Sequence, residues 1–280
     1  MADLLTSQPE TIRTAVFLGI FAVMAGWEAV APLRRSELPR LIRWSNNAAL
    51  LLTGNLLLKL IVPLGAVGFA ALVQTHGWGL LGLVNSPDWL ELVLAFVALD
   101  LAIYAQHRLF HKVPLLWRLH RVHHADTMFD VTTALRFHPL EIAVSLAIKL
   151  AAIALIGASP TAVLLFEIVL NAAAMFNHGN VTLPAWLERP LRRVIVTPDM
   201  HRIHHSTRPA ETDSNYGFNL SCWDRLFASY TPAPSRPQES MPIGLTQFRE
   251  PREAWLDRLL LQPFARTTPD RESKENVSPL

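Results

Sequence analysis

The stretches HRVHH (120–124) and HRIHH (201–205) are near copies, and HRLFH (107–111) precedes them. If helical, each copy sets its first and last histidines one turn apart and its middle one at i+3. HRLFH does the same for His107 and His111. With eleven histidines in 280 residues, this repetition is a pattern and not a coincidence. Imidazole suits zinc, iron, copper and nickel, so His107, His111, His120, His123, His124, His201, His204 and His205 are candidate metal ligands. His178, in NHGN, joins them on a helical face shared with Glu167, Asn171 and Ala174. His138, in FHPLE, has three open readings: a ligand, a donor that orients a ligand, or a residue that starts a helix.

A catalytic zinc needs only about three protein ligands, and no His-Glu-x-x-His occurs. Eight to ten imidazoles are too many for one ion and suffice for two of higher coordination number. Carboxylate-bridged di-iron bundles supply Glu and Glu-x-x-His instead, a pattern missing here. A histidine-rich pair of iron ions fits best by count. Around the ligands, Asp100 and Tyr104 extend the face of His107 and His111. An Asp inside an apolar run is costly; Asp100 either accepts a ring N–H from a metal-bound histidine or is a paired structural carboxylate. Asp126 and Asp199, two residues outside their boxes, orient histidines, cap a helix or face water. Asn171 is a further outer-sphere candidate.

These residues need elements to hold them. The chain is 51% hydrophobic and 17% charged, against about a quarter charged in soluble domains. Five apolar runs account for the excess: 14–33, 49–73 (interrupted by Pro63), 89–105, 140–158 and 161–176. Their lengths approach the ~30 Å of a bilayer core. The expected fold is all-α: a polytopic transmembrane helix bundle of about four to five spans with a cytoplasmic histidine-rich helical cap. A soluble bundle is the alternative. Arginines follow the first, third and fifth runs, while the connections after the second and fourth lack Lys and Arg. By the positive-inside rule the N-terminus is outside, and ten of the eleven histidines, all but His76, face the cytoplasm.

Asp3 and Glu10 stand where a signal peptide would be basic, so the first run is expected to stay in the protein. Net charge is only +2, which points away from nucleic acid. Cys222 is the single cysteine, which excludes an internal disulfide, a zinc ribbon or an iron–sulfur cluster of the chain's own. The expected divisions are N-terminal transmembrane helices (1–88), a histidine-box core (89–230) including a hairpin (140–177), and a C-terminal part (231–280). That last part reads as a Pro-rich linker, an amphipathic helix and a polar tail from about 266. Segments 183–196 and 251–264 mix Trp, Leu and Arg; they lie on the membrane surface or cover the cytoplasmic domain. Arg136, Arg202 and Arg208 hold a lipid head group or only obey the positive-inside rule; Trp223 and Asp224 dock the cytoplasmic region.

The three boxes, with HPLE (138–141), NHGN (177–180) and NYGFNLSCWDRLFASY (215–230), make the chain resemble the fatty acid hydroxylase/sterol desaturase superfamily of integral-membrane di-iron oxygenases. The likeness covers about residues 89–230. It implies that the boxes and His178 bind two Fe ions, with Zn as a substitute in purified protein. It also implies O2, an external electron donor of ferredoxin or cytochrome type, and a lipid whose C–H bond is hydroxylated or desaturated. Members act on fatty acyl chains, sterols, carotenoids and alkylglycerols. One departure is that Ala174 and Thr182 flank His178 where some members carry a further histidine pair, which leaves a ligand position for His138 or a carboxylate. Competing readings are a zinc-dependent membrane hydrolase and a histidine-rich metal transporter, although transporters place ligands near the bilayer midplane. An excess of arginine over lysine, and an ending without a retention signal, suggest a bacterial inner membrane.

Overall fold

The computed structural model describes residues 8–35, 38–83 and 86–266; Asp3 and the tail beyond 266 lie outside them. Prolines open five of its helices at the first turn, where the missing N–H costs nothing: α1 (Pro9–Val30), α5 (Pro114–His124), α6 (Pro139–Ile156), α7 (Pro160–Asn177) and α9 (Pro198–His204). Between them come α2 (Arg40–Ile61), α3 (Gly65–Thr75), α4 (Asp88–Lys112) and the short α8 (Ala185–Leu191). Beyond α9 only short helical turns remain, and isolated bridges Ile195–Leu220 and Ser206–Ile243 are the only β pairing among the described residues.

The apolar runs become the bundle. Helix α7 is its centre, packed against α1, α3 and α4, while α6 lies against α2, α3 and α4. Leu99, Ile153, Val163, Leu164 and Phe166 are buried at the main apolar contact. Among the described residues, four stretches are long and apolar enough to cross a membrane by length and composition: 9–30, 40–75, 139–156 and 160–177. The second is one run in sequence but two helices in space, because Pro63 cannot continue α2 and the chain breaks at 62–64. Helix α4, expected as a third span at 89–105, is outside this set; it carries Glu91 and Asp100, and its last two turns belong to the histidine layer.

Directions follow from contacts. At one end, Gly157 ends α6 in a left-handed conformation (φ 78°) and Gly79 passes so close that a Cβ would collide with its backbone. At the other end, α1 arrives, α2 departs, α4 arrives, α6 departs and α7 arrives. All connections at that end meet in the cap. Two N-terminal side chains anchor it. Glu28 of α1 accepts N–H bonds from Val131 (2.7 Å) and Asn180 (2.8 Å). Arg43 of α2, fully buried, forks onto Asp126 (3.1 and 2.8 Å) and reaches Asp130 (2.6 Å). Burial alone would raise the Asp130 carboxyl; Arg43 overrides it and holds it below its ordinary value. The Pro-rich stretch 231–242 forms no helix, as its prolines require, but Arg34 ties it down through the carbonyls of Gln238 and Met241. Of the two Trp/Leu/Arg segments, 183–196 holds only α8, with Trp186 75% and Val194 60% exposed, and 251–264 holds short turns with Leu261 and Phe264 exposed.

Arg43→Met would leave Asp126 and Asp130 buried without a countercharge. The expected loss is about 3–5 kcal/mol of stability, read as a lower unfolding temperature in detergent. Arg43→Lys should recover only part of it, since a lysine cannot fork.

Candidate metal centre

The layer is built from four places in the chain. The last two turns of α4 present His107 and His111; α5 presents His120, His123 and His124; α9 presents His201 and His204, with His205 as its cap; and His178 caps α7. They converge as two groups. His107, His111, His120, His124 and His204 form one, and His123, His178, His201 and His205 the other; within each, one ring nitrogen per residue lies within 4.8 Å of all the rest. This explains the repeated phrase. Each copy commits its i and i+4 histidines to one group and lends its i+3 histidine to the other.

Facing nitrogens are close: His107 Nε2 to His204 Nε2 is 3.0 Å, His111 to His124 3.1 Å, His123 to His178 3.1 Å and His178 to His201 3.0 Å. A metal–imidazole bond of about 2.1 Å sets adjacent donors at right angles about 3.0 Å apart, so these pairs match edges of a coordination shell. Away from the centre, Nδ1 donors find acceptors. His107 donates to the Tyr216 carbonyl (2.8 Å), His204 to Ser214 (2.7 Å), His178 to Ala174 (2.7 Å) and His120 to the Glu141 carboxylate (2.6 Å). Each bond fixes the tautomer that leaves Nε2 free to ligate. The buried Nε2 of His120 and both nitrogens of His205 have no partner in the protein, although buried polar atoms normally have one. The donor set fits a pair of metal ions.

Electrostatics agree. Burial, first of all, lowers His178 to about 4 and His204 to about 3, and neighbouring histidines press the latter further. Burial likewise holds His123, His124, His201 and His205 well below the ordinary value. All six are neutral at pH 7, as ligands must be.

The outer candidates lie elsewhere than their spacing suggested. Asp100 accepts from the backbone of Asn219 (3.3 Å) and Leu220 (3.1 Å) and from Trp223 Nε1 (2.8 Å), not from a histidine. Asp224 accepts from the N–H groups of Tyr216 and Gly217, both 2.8 Å, and from Ser229 (2.7 Å). Gly217 is required there, because a Cβ would stand 2.7 Å from the Asp224 carboxylate. Tyr104 bonds Ser229 (2.8 Å). These side chains fold the 214–229 loop, and the loop's carbonyls hold the histidines. Asp126 serves Arg43, and Asp199 pairs with Arg202 (2.8 Å). Asn171, two turns before His178, is half-buried on α7. His138 is outside both groups: Nδ1 accepts from Leu140 N and caps α6, while Nε2 donates to the Leu260 carbonyl. Of its three readings, the helix start is the one observed. Arg136 bonds the Val122 carbonyl and Arg202 those of Gly179 and Val181, so both are internal braces.

Two further carboxylates, Glu141 and Asp213, stand against histidines of the layer. Glu141 was legible as an acid in the first turn of an apolar helix, next to the histidine layer. Asp213, 3.4 Å from His111 Nδ1 and 2.8 Å from Lys112, carried no spacing signal. It lines an open cavity of about 200 Å³ with His111, Trp117 and Thr207, which brings solvent to the edge of the first group.

Two outcomes are expected. Without metal, the unfolded chain binds protons at these histidines below about pH 6.5 while the folded one does not, so stability falls as pH drops through that value. For His178 the fall continues to about 4; denaturant titration between pH 8 and 4 measures it. Glu141→Ala should weaken metal retention about 10- to 100-fold in a chelator competition.

Comparison with known proteins extends the picture. Residues 92–229 match the family model described as fatty acid hydroxylase. An ornithine lipid hydroxylase of Rhizobium tropici is 33% identical over 64% of this chain and 52% of its own length. Alkylglycerol monooxygenases of Danio rerio and Homo sapiens are 30% and 29% identical, over 61% and 54% of this chain and 36% and 32% of theirs. The chain thus spans about half of the first relative and about a third of the others. No solved structure matches it. The matched segment contains all nine clustered histidines, so residues 92–229 carry the fatty acid hydroxylase signature, consistent with the fatty acid hydroxylase/sterol desaturase superfamily.

Proposed function

We propose that the chain is a membrane-bound oxygenase that hydroxylates a C–H bond of a lipid, with two iron ions held by the nine clustered histidines. The observation that carries this reading is the division of the boxes into groups of five and four converging imidazoles. The relatives named as lipid hydroxylase and alkylglycerol monooxygenases support the substrate class and the use of O2. Bound iron supplies the activation of O2 and the attack on an unactivated C–H bond, drawing electrons from an external donor of ferredoxin or cytochrome type. Desaturation would use the same centre.

The chain's own part is to hold, aim and exclude. The carbonyls of Tyr216, Ser214 and Ala174, with Glu141, hold ring tautomers so that the ligating nitrogens face inward. Apolar rings shield the layer: Phe137 stacks on His123 at 4.4 Å, and Phe129 lies 5.5 Å from His178. Phe218 stands 6.5 Å from both His107 and His201, one from each group. Such a wall keeps water from a reactive centre. An alkyl lipid reaches it from the bilayer without crossing water. Arginines follow the first, third and fifth apolar runs, which by the positive-inside rule supports a cytoplasmic active site, and the excess of arginine over lysine supports a bacterial inner membrane.

Elemental analysis of detergent-purified protein from iron-supplemented cells tests the reading. About two irons per chain are expected, falling sharply in His120→Ala and in His201→Ala, one from each group. A single zinc, indifferent to iron supply, would point to a hydrolase and sink the oxygenase reading.

A further inference from the structure

A buried metal site needs a path by which the ion reaches it. Eight of the nine clustered histidines are buried inside the layer. Apolar rings cover the second group: Phe137 stacks on His123, and Phe129 lies 5.1 Å from His205 and 5.5 Å from His178. His111, in the first group, is the exception. It is the one clustered histidine that lines the open cavity of about 200 Å³, together with Trp117, Thr207, Thr212, Asp213 and Leu245. Trp117 packs against His111 at 4.8 Å and His124 at 5.3 Å, which screens His124 from that space.

His111 faces two ways. Its Nε2 stands 3.1 Å from His124 Nε2, inside the first group, and its Nδ1 stands 3.4 Å from Asp213 Oδ1, on the cavity side. The imidazole is covered, its side chain 1% exposed, whereas the Asp213 carboxylate is 44% exposed. The order from solvent inward is therefore carboxylate, imidazole, group. That order suits a divalent cation arriving hydrated: an oxygen ligand takes an ion that keeps most of its water, and a nitrogen ligand beside it then replaces more. At rest Oδ1 accepts from the Tyr216 hydroxyl (3.2 Å) and Oδ2 pairs with Lys112 (2.8 Å). Lys112 is 51% exposed, and a pair this exposed on both sides is weak. Its ammonium therefore yields the carboxylate to a divalent ion.

We infer that this cavity is the port through which metal enters and leaves the first histidine group, with Asp213 capturing the ion and His111 passing it inward. This rests on reading the clustered histidines as metal ligands and adds the route by which they are filled. The ion trades water for the Asp213 carboxylate, then the carboxylate for imidazole. No electron moves and no covalent bond of the chain changes. The two groups consequently differ in lability: the first exchanges through a standing cavity, whereas the second, under Phe129 and Phe137, waits for the fold to open locally.

The test follows metal in both directions on the full-length chain in detergent. Iron-loaded protein is mixed with excess EDTA under anaerobic conditions, and iron per chain is measured against time after gel filtration. Uptake is followed by adding ferrous ion to the stripped chain. One iron is expected to leave at least about tenfold faster than the other. Asp213→Asn should slow uptake into the fast site about tenfold and slow release with it, so that iron held at equilibrium against the chelator is unchanged. Thr207→Trp, which fills the cavity and removes no charge, should also slow both directions. Leu245→Trp adds the same bulk from another lining residue if Thr207→Trp does not fold. A carboxylate that only steadied His111 would act otherwise, since its loss would weaken binding and speed release. Faster release from Asp213→Asn, or unchanged rates in the filled cavity, overturns the inference. Two irons whose rates neither variant alters remove the port and leave the oxygenase reading; a single zinc whose exchange both variants slow keeps the port and removes that reading.

Discussion

Imidazoles gathered to ligate a metal must do so as neutral rings, and each neutral ring has one N–H to dispose of. Charged rings at these separations would repel one another in a medium that screens little. The structure answers with acceptors aimed from outside the layer: three backbone carbonyls and one carboxylate, for His107, His204, His178 and His120. Everything that shapes the 214–229 loop follows from this need. Asp100 and Asp224 gather that loop's N–H groups, which turns the carbonyls of Ser214 and Tyr216 toward rings on α9 and α4. A buried Asp in an apolar helix thus acts on the histidine layer through a loop, two steps removed.

The same constraint explains the repeated phrase. At about 100° per residue, positions i and i+4 stand about 40° apart on a helix and i+3 lies about 60° to the other side. A short helix set between two centres therefore serves both, two ligands to one and one to the other. Helices α5 and α9 do this reciprocally: His204 of α9 joins the group built on α4 and α5, and His123 of α5 joins the group built on α9. Neither group is complete without the other helix. The two centres are one folding unit.

Much of this was legible in the residues. Helical spacing brings His107 to His111, and the phrases to themselves, before any tertiary contact is known. Apolar length marks the spans, and Pro63 marks the break in the second. For Asp100, Asp126 and Asp199 the spacing leaves two kinds of reading open, a partner for a histidine or a structural carboxylate, because carboxylates are visible in a sequence and carbonyls are not. Every residue carries a carbonyl, so nothing distinguishes Tyr216 or Ser214 until the loop is folded. Arg43 was hidden for a related reason. It reads as one more cytoplasmic arginine, and only the fold shows that it is buried between Asp126 and Asp130.

That last pairing says what the N-terminal helices are for. The segment that matches the family, 92–229, holds every clustered histidine, whereas α1 and α2 supply none. Yet Asp126 and Asp130 sit in the connection directly after the second box, and their countercharge is on α2. Val131 and Asn180 both spend their N–H on Glu28 of α1, and Asn180 is two residues beyond His178. Taken alone, the matched segment would bury two carboxylates without a cation and two N–H groups without an acceptor, next to the rings it must keep in register. A buried charge without its partner costs far more than a paired one contributes. The first two helices are therefore part of the structure that holds the histidine layer, which extends beyond the segment that carries its signature.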